Sequence, residues 1–132
     1  MINNSSCEKP TQSEIDEIKR KVEEGDAYSM LLYGHFLANG LGVPADKKEA
    51  ARYFKMSADL GNINAIYNYG VLLRDGIGIQ INKKEAARYF KIAADKKFLW
   101  ASQNLALMLL HGDGIPVDKK EAARYFKIDA DQ

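Results

Sequence analysis

The sequence predicts an all-α fold, an α-solenoid of stacked antiparallel helix-turn-helix repeats, and three observations carry that prediction. The nonapeptide KKEAARYFK occurs at 47–55, 83–91 and 119–127, a spacing of 36 residues. Glycines keep the same spacing, Gly40, Gly76 and Gly112 and again Gly42, Gly78 and Gly114, as do Val43, Ile79 and Ile115. Between these marks, apolar residues recur three and four apart, the period of one face of a helix. A single hairpin of two helices cannot bury both of its faces, so successive hairpins must stack. A fixed rotation per unit then predicts a right-handed superhelix with a concave side.

Taken in chain order, residues 1–12 are predicted to form a disordered polar leader. Residues 13–24 carry Ile15, Ile18 and Val22 at helical spacing and are expected to form an N-terminal capping helix, a partial repeat. Three units follow, 25–60, 61–96 and 97–132, opened by Gly25, Gly61 and Lys97. In the second unit Ala65, Tyr69, Gly70, Leu72 and Leu73 make the apolar face of a first helix, A, which the Gly76-Ile77-Gly78 loop ends. Pro44 and Pro116 lie in the corresponding loops of units one and three. Asp46, Asn82 and Asp118 stand three positions before Glu49, Glu85 and Glu121, the spacing of a capping box at the start of a second helix, B. Helix B repeats Ala50, Tyr53, Phe54, Ser57 and Ala58 as Ala86, Tyr89, Phe90, Ala93 and Ala94, small and large residues that let neighbouring helices approach. In the last unit Asp129 and Asp131 face the negative end of the helix dipole. That pattern reads either as a solvated end or as a junction within a longer array.

Charge and composition exclude several functions. Nineteen basic residues against eighteen acidic leave a net charge of +1, which gives no field to gather phosphate backbones, so nucleic acid is not an expected partner. No stretch approaches the ~18 apolar residues of a membrane span, and the opening MINNSSCEKP lacks the basic and apolar regions of a secretory signal. The one cysteine, Cys7, forbids an intramolecular disulfide, and the expected location is cytoplasmic.

These residues resemble the Sel-one-like repeat (SLR), a relative of the tetratricopeptide repeat (TPR) with a slightly longer unit. Unit two matches its pattern through Ala65, Tyr69-Gly70, Leu73, Gly76, Gly78, Ile79, Glu85-Ala86, Tyr89-Phe90 and Ala93-Ala94, and the match runs over 25–132. The departures are Ser29 for the first alanine, Ala106 for the helix A glycine of unit three, and Lys97 for that unit's opening glycine. The resemblance implies a TPR-like superhelix and a non-catalytic adaptor or scaffold for protein-protein interaction, with no cofactor. An alternative is a repeat portion of a larger signalling or protein-degradation-linked protein. A remoter one is β-lactam hydrolysis, linked to a secreted, cysteine-rich branch of similar repeats. The repeats of this chain contain neither cysteine nor a Ser-x-x-Lys nucleophile.

The same resemblance locates the candidate partner-binding face on the A helices. Counted from Gly34, Gly70 and Ala106, it comprises Tyr28, Leu31, His35, Ala38 and Asn39; Asn64, Tyr67, Val71, Arg74 and Asp75; and Trp100, Gln103, Leu107, Leu110 and His111. These positions differ from unit to unit while helix B is copied, as expected where each unit meets a different part of a protein or peptide. Tyr67, Arg74 and Trp100 are the expected anchors. The competing reading of Tyr28 and Trp100 is that they cover the packing between adjacent A helices. His35 and His111 lie two units apart, about 20 Å at ~10 Å per stacked helix, too far to share a metal. The Lys-Lys pairs at 47, 83 and 119 could line a basic ridge, although the neighbouring Glu49, Glu85 and Glu121 dilute its field. Asp46 with Glu49 recurs in every unit, unlike a catalytic pair, and the glycine loops follow a helix rather than a strand, unlike a phosphate cradle. Self-association through the C-terminal helix is a further expectation.

Overall fold

The structure is a computed structural model and describes residues 9–130, with side chains through Lys127. Most of the expected leader, Cys7 included, and Asp131 lie outside the described residues, as does the side chain of Asp129. Among the described residues every regular element is a helix: α1 (Gln12–Glu23), α2 (Ala27–Asn39), α3 (Lys47–Asp59), α4 (Ile63–Asp75), α5 (Lys83–Asp95), α6 (Leu99–His111) and α7 (Lys119–Ala130). Helices consecutive in the chain pack on one another throughout, so the pairs α2/α3, α4/α5 and α6/α7 are stacked hairpins of an α-solenoid.

Local chemistry fixes where the helices begin. Thr11 caps α1 with a complete capping box, its hydroxyl accepting from Glu14 N (3.1 Å) while Glu14 Oε1 accepts from Thr11 N (2.7 Å). The helix thus starts within the segment expected to be leader. Asp46, Asn82 and Asp118 accept from the amides of Glu49, Glu85 and Glu121 at 3.0 Å, as their spacing predicts.

The reciprocal half of the predicted box is not made. The cap amides donate instead across the loop to carbonyls of helix A: Asp46 to Leu37 (2.8 Å), Asn82 to Leu73 (2.8 Å) and Asp118 to Leu109 (2.9 Å). Glu49, Glu85 and Glu121, freed from capping, pair with Arg52, Arg88 and Arg124 one turn along. The loop folds back so tightly that a nearer acceptor outcompetes the glutamate.

Helix A ends on Gly40, Gly76 or Gly112, each left-handed with φ of 65–69°. The second loop glycine serves the stacking between units. A Cβ on Gly78 would fall onto the Lys47 carbonyl at the start of α3, so the loop of unit two lies directly against helix B of unit one.

The core runs the length of the stack. Phe54 and Phe90 are buried, each ring lying about 3 Å from where a Cβ would stand on Gly34 or Gly70, so the helix A glycine is what admits the ring. In unit three Ala106 fills that place. Its equivalent ring, Phe126, is 37% exposed where Phe54 and Phe90 are 3% and 0% exposed. Ile15 of α1 is buried as well, against the loop at Gly42.

Candidate functional site

The face built from the A helices separates into side chains that bind the stack together and side chains that face solvent. The first group centres on Asn104 of α6. Its Nδ2 donates to Tyr67 Oη (3.0 Å) and to the Trp100 carbonyl (2.8 Å), and its Oδ1 accepts from Arg74 of α4. Arg74 also grips Asp75 with two parallel hydrogen bonds, 2.9 and 3.0 Å, which hold the Asp75 carboxyl below its usual range. Tyr67 packs its ring against Phe98 (5.0 Å) and Phe90 (5.6 Å). Two of the three expected anchors, Tyr67 and Arg74, thus hold α4 to α6.

A second cross-link joins α2 to α4. Asn68 Nδ2 lies 3.4 Å from His35 Nε2, donating to it when that nitrogen is unprotonated. The other side of the imidazole meets Phe54 edge-on at 5.0 Å, and burial pushes its pKa below the ordinary value. Neither Asn68 nor Asn104 was among the residues expected to matter. Both occupy the register held by Leu32 in unit one, and that switch from leucine to asparagine on a mostly apolar helix is the signal that could have revealed them.

The other expected residues fall into two sets. Leu31 is buried in the core and presents nothing to a ligand, while Val71 and Ala38 are half-buried against it. Tyr28, Asn39, Asn64, Gln103, Leu107 and His111 are exposed, together with Trp100 and Asp75. The three large apolar ones are 60% (Tyr28), 65% (Trp100) and 47% (Leu107) exposed. Trp100, Leu107 and His111 follow one another along α6 at intervals of seven and four, so they share one face. Beside them Arg74, Asn104, Leu107, His111 and Asp113 line an open hollow of about 450 Å³.

Among the described residues no group of three or more His, Cys, Asp or Glu could hold a metal, and no helix is long and apolar enough to cross a membrane. The lysine ridge is interrupted, because Lys83 pairs with Asp113 of the next unit at 2.6 Å.

Comparison with known proteins bears on this geometry. The model of the Sel1 repeat matches at residues 27–62, 63–98 and 101–132, nearly the whole of the three hairpins. The chain belongs to the Sel1 repeat family. Sel1 repeats commonly serve as protein-interaction scaffolds. Two solved Sel1-like structures superpose closely. One is a protective antigen of uropathogenic Escherichia coli strains displaying an SLR fold (TM-score 0.86, 31% identity, 89% of this chain and 25% of that one). The other is a Sel1 repeat protein from Oxalobacter formigenes (TM-score 0.85, 22% identity, 91% and 49%). This chain therefore spans a quarter and about half of their lengths. Helicobacter pylori cysteine rich protein B shares the fold at TM-score 0.67 and 16% identity, over 89% of each chain. Among curated proteins, none matches.

Proposed function

We propose that these Sel1 repeats form a non-catalytic scaffold that holds an extended peptide or a helix of a partner protein along the face made by the A helices. The observation that carries this reading is the exposure of Trp100 and Leu107 two turns apart on one face of α6. Large apolar side chains in contact with water on a rigid helix are typical anchors of protein interfaces. The hollow beside them supplies hydrogen-bonding groups at its rim, as a peptide backbone requires. Tyr28 extends the same register to α2. A cytoplasmic setting and service within a larger signalling or degradation-linked protein are compatible with this reading.

Of the three anchors the sequence suggested, Trp100 is kept, and Leu107 takes the place of Tyr67 and Arg74. Because Tyr67 and Arg74 join α4 to α6, replacing them would disturb the stack as well as the surface. Trp100→Ala with Leu107→Ala removes the exposed pair alone, and the melting temperature should stay within a few degrees of wild type. Pull-down from source lysate should then retain a partner on the wild type and lose it on the double variant. Retention of the same partners by both proteins would remove α6 as the docking face. Sedimentation of the same samples tests self-association.

A further inference from the structure

The back of the solenoid carries crevices between α1 and α3, between α3 and α5, and between α5 and α7, and the three are not alike. The first is lined by Tyr33 and Tyr53 with rings 5.0 Å apart edge-to-face, and the second by Tyr69, whose ring meets that of Tyr89 in the same way at 5.1 Å. In the third, between α5 and α7, Leu105 stands where the first tyrosine of the pair would be, so Tyr125 has no ring beside it. Tyr125 is 1% exposed, and its hydroxyl is buried with no hydrogen-bond partner at normal length among the described residues. An orphaned buried hydroxyl is a cost the two other crevices avoid.

The surroundings of that hydroxyl specify what would satisfy it. Ala87, Leu105, Leu109 and Ile115 make apolar walls around about 290 Å³, close to the lower end of the ~300–1,000 Å³ range of ligand pockets. Lys84 and Lys91 stand at the mouth. Arg88 and Glu121, also on the rim, are paired with Glu85 and Arg124, and the Glu121 carboxylate also feels the charge of Lys91. Lys91 hydrogen-bonds Asp95 at 3.2 Å and stands near enough to the Tyr125 phenol to act on it both through its charge and as a more distant donor. The group missing from this arrangement is an anion that accepts from a phenol and two ammonium groups, carried on a short apolar body.

We propose that the crevice between α5 and α7 binds a small amphipathic carboxylate, its acyl or aryl body against Leu105, Leu109 and Ile115 and its carboxylate accepting from Tyr125 Oη and the Lys84 and Lys91 ammonium groups. The site lies on the B-helix side of the stack and is independent of the partner face on the A helices. Sodium octanoate is a suitable probe, followed by the backbone amide resonances of the full chain, with 1-octanol as the uncharged control. Octanoate should give saturable shifts confined to the ends of α5, α6 and α7 that line the crevice, and octanol should bind at least tenfold more weakly.

Two variants separate the chemistry from the fold. Tyr125→Phe removes only an unpartnered hydroxyl, so it should melt no lower than wild type while weakening octanoate about tenfold. Leu105→Tyr restores the pair found in the other two crevices and should abolish saturable binding without loss of fold, as a matching amide spectrum would verify. Octanoate affinity unchanged in Tyr125→Phe, octanol binding as tightly as octanoate, or shifts falling outside the crevice would each overturn the proposal.

Discussion

Lys97 holds a backbone φ of 70°, in the left-handed region that its counterparts Gly25 (88°) and Gly61 (93°) reach without strain. A Cβ built on either glycine meets nothing within 4 Å, so the cost at Lys97 lies in the backbone and not in crowding. Lys97→Gly is therefore expected to raise stability by about 0.5–1 kcal/mol, read as a higher denaturation midpoint at unchanged slope. Gly70 presents the opposite case. A methyl there would press on the Phe90 ring at 2.9 Å, and Gly70→Ala should cost about 1–3 kcal/mol by overpacking. His35 adds a pH dependence. Burial lowers its folded pKa, whereas the unfolded chain titrates near 6.5, so as pH falls through that value the unfolded state takes up a proton that the folded state resists. The stability it contributes is complete above pH 6.5 and is lost as pH falls toward the lower folded value. Urea melts at pH 8 and pH 5.5 should show a smaller acid loss for His35→Gln than for wild type; an equal loss would place the titrating group elsewhere.

The B helices share one start, and the half of it that is realised makes a sharp prediction. Asp46→Ala or Asn82→Ala should each cost about 1 kcal/mol, because the side chain satisfies an amide at the helix N-terminus. Glu49→Ala should cost a few tenths at most, since the exposed Glu49 carboxylate pairs with Arg52 and not with the cap. Thermal melts of the three variants separate this arrangement from a complete capping box, in which the glutamate would matter as much as the cap. The starts of the B helices and the ends of the A helices were legible in the sequence because caps and glycine stops are local chemistry, decided within four residues. The fold class was legible because the same chemistry is written three times. What escaped was whatever depends on a distant acceptor. The Leu37, Leu73 and Leu109 carbonyls take the cap amides, and Asn104 reaches Arg74 and Tyr67 from another unit, contacts for which spacing along one helix supplies no sign. Leu31 illustrates the same limit, since a register counted from a glycine does not reveal that the next helix has covered the side chain.

Across the described residues, each Sel1 unit packs chiefly on its neighbours, so stability is expected to be a sum of unit terms and joint terms. Gly78 sits at one such joint, with its α-carbon against the start of α3. Gly78→Ala should loosen unit one from unit two and leave both hairpins intact, giving a broader urea transition with a lower apparent slope; a uniform shift at constant slope would mean the units unfold as one block regardless. The bonds that fold each loop back onto helix A bear on a different property. Asp46 to Leu37, Asn82 to Leu73 and Asp118 to Leu109 each clamp a hairpin across its loop, whereas the turns from α3 to α4 and from α5 to α6 close only on their own last helical carbonyls, as in Asn62 to Ser57 and Phe98 to Ala93. The joints at Gly61 and Lys97 are held instead by side chains, His35 to Asn68 and Asn104 to Arg74 and Tyr67, so the hairpins are fastened by the backbone that every unit repeats and their mutual setting by residues that each unit chooses for itself.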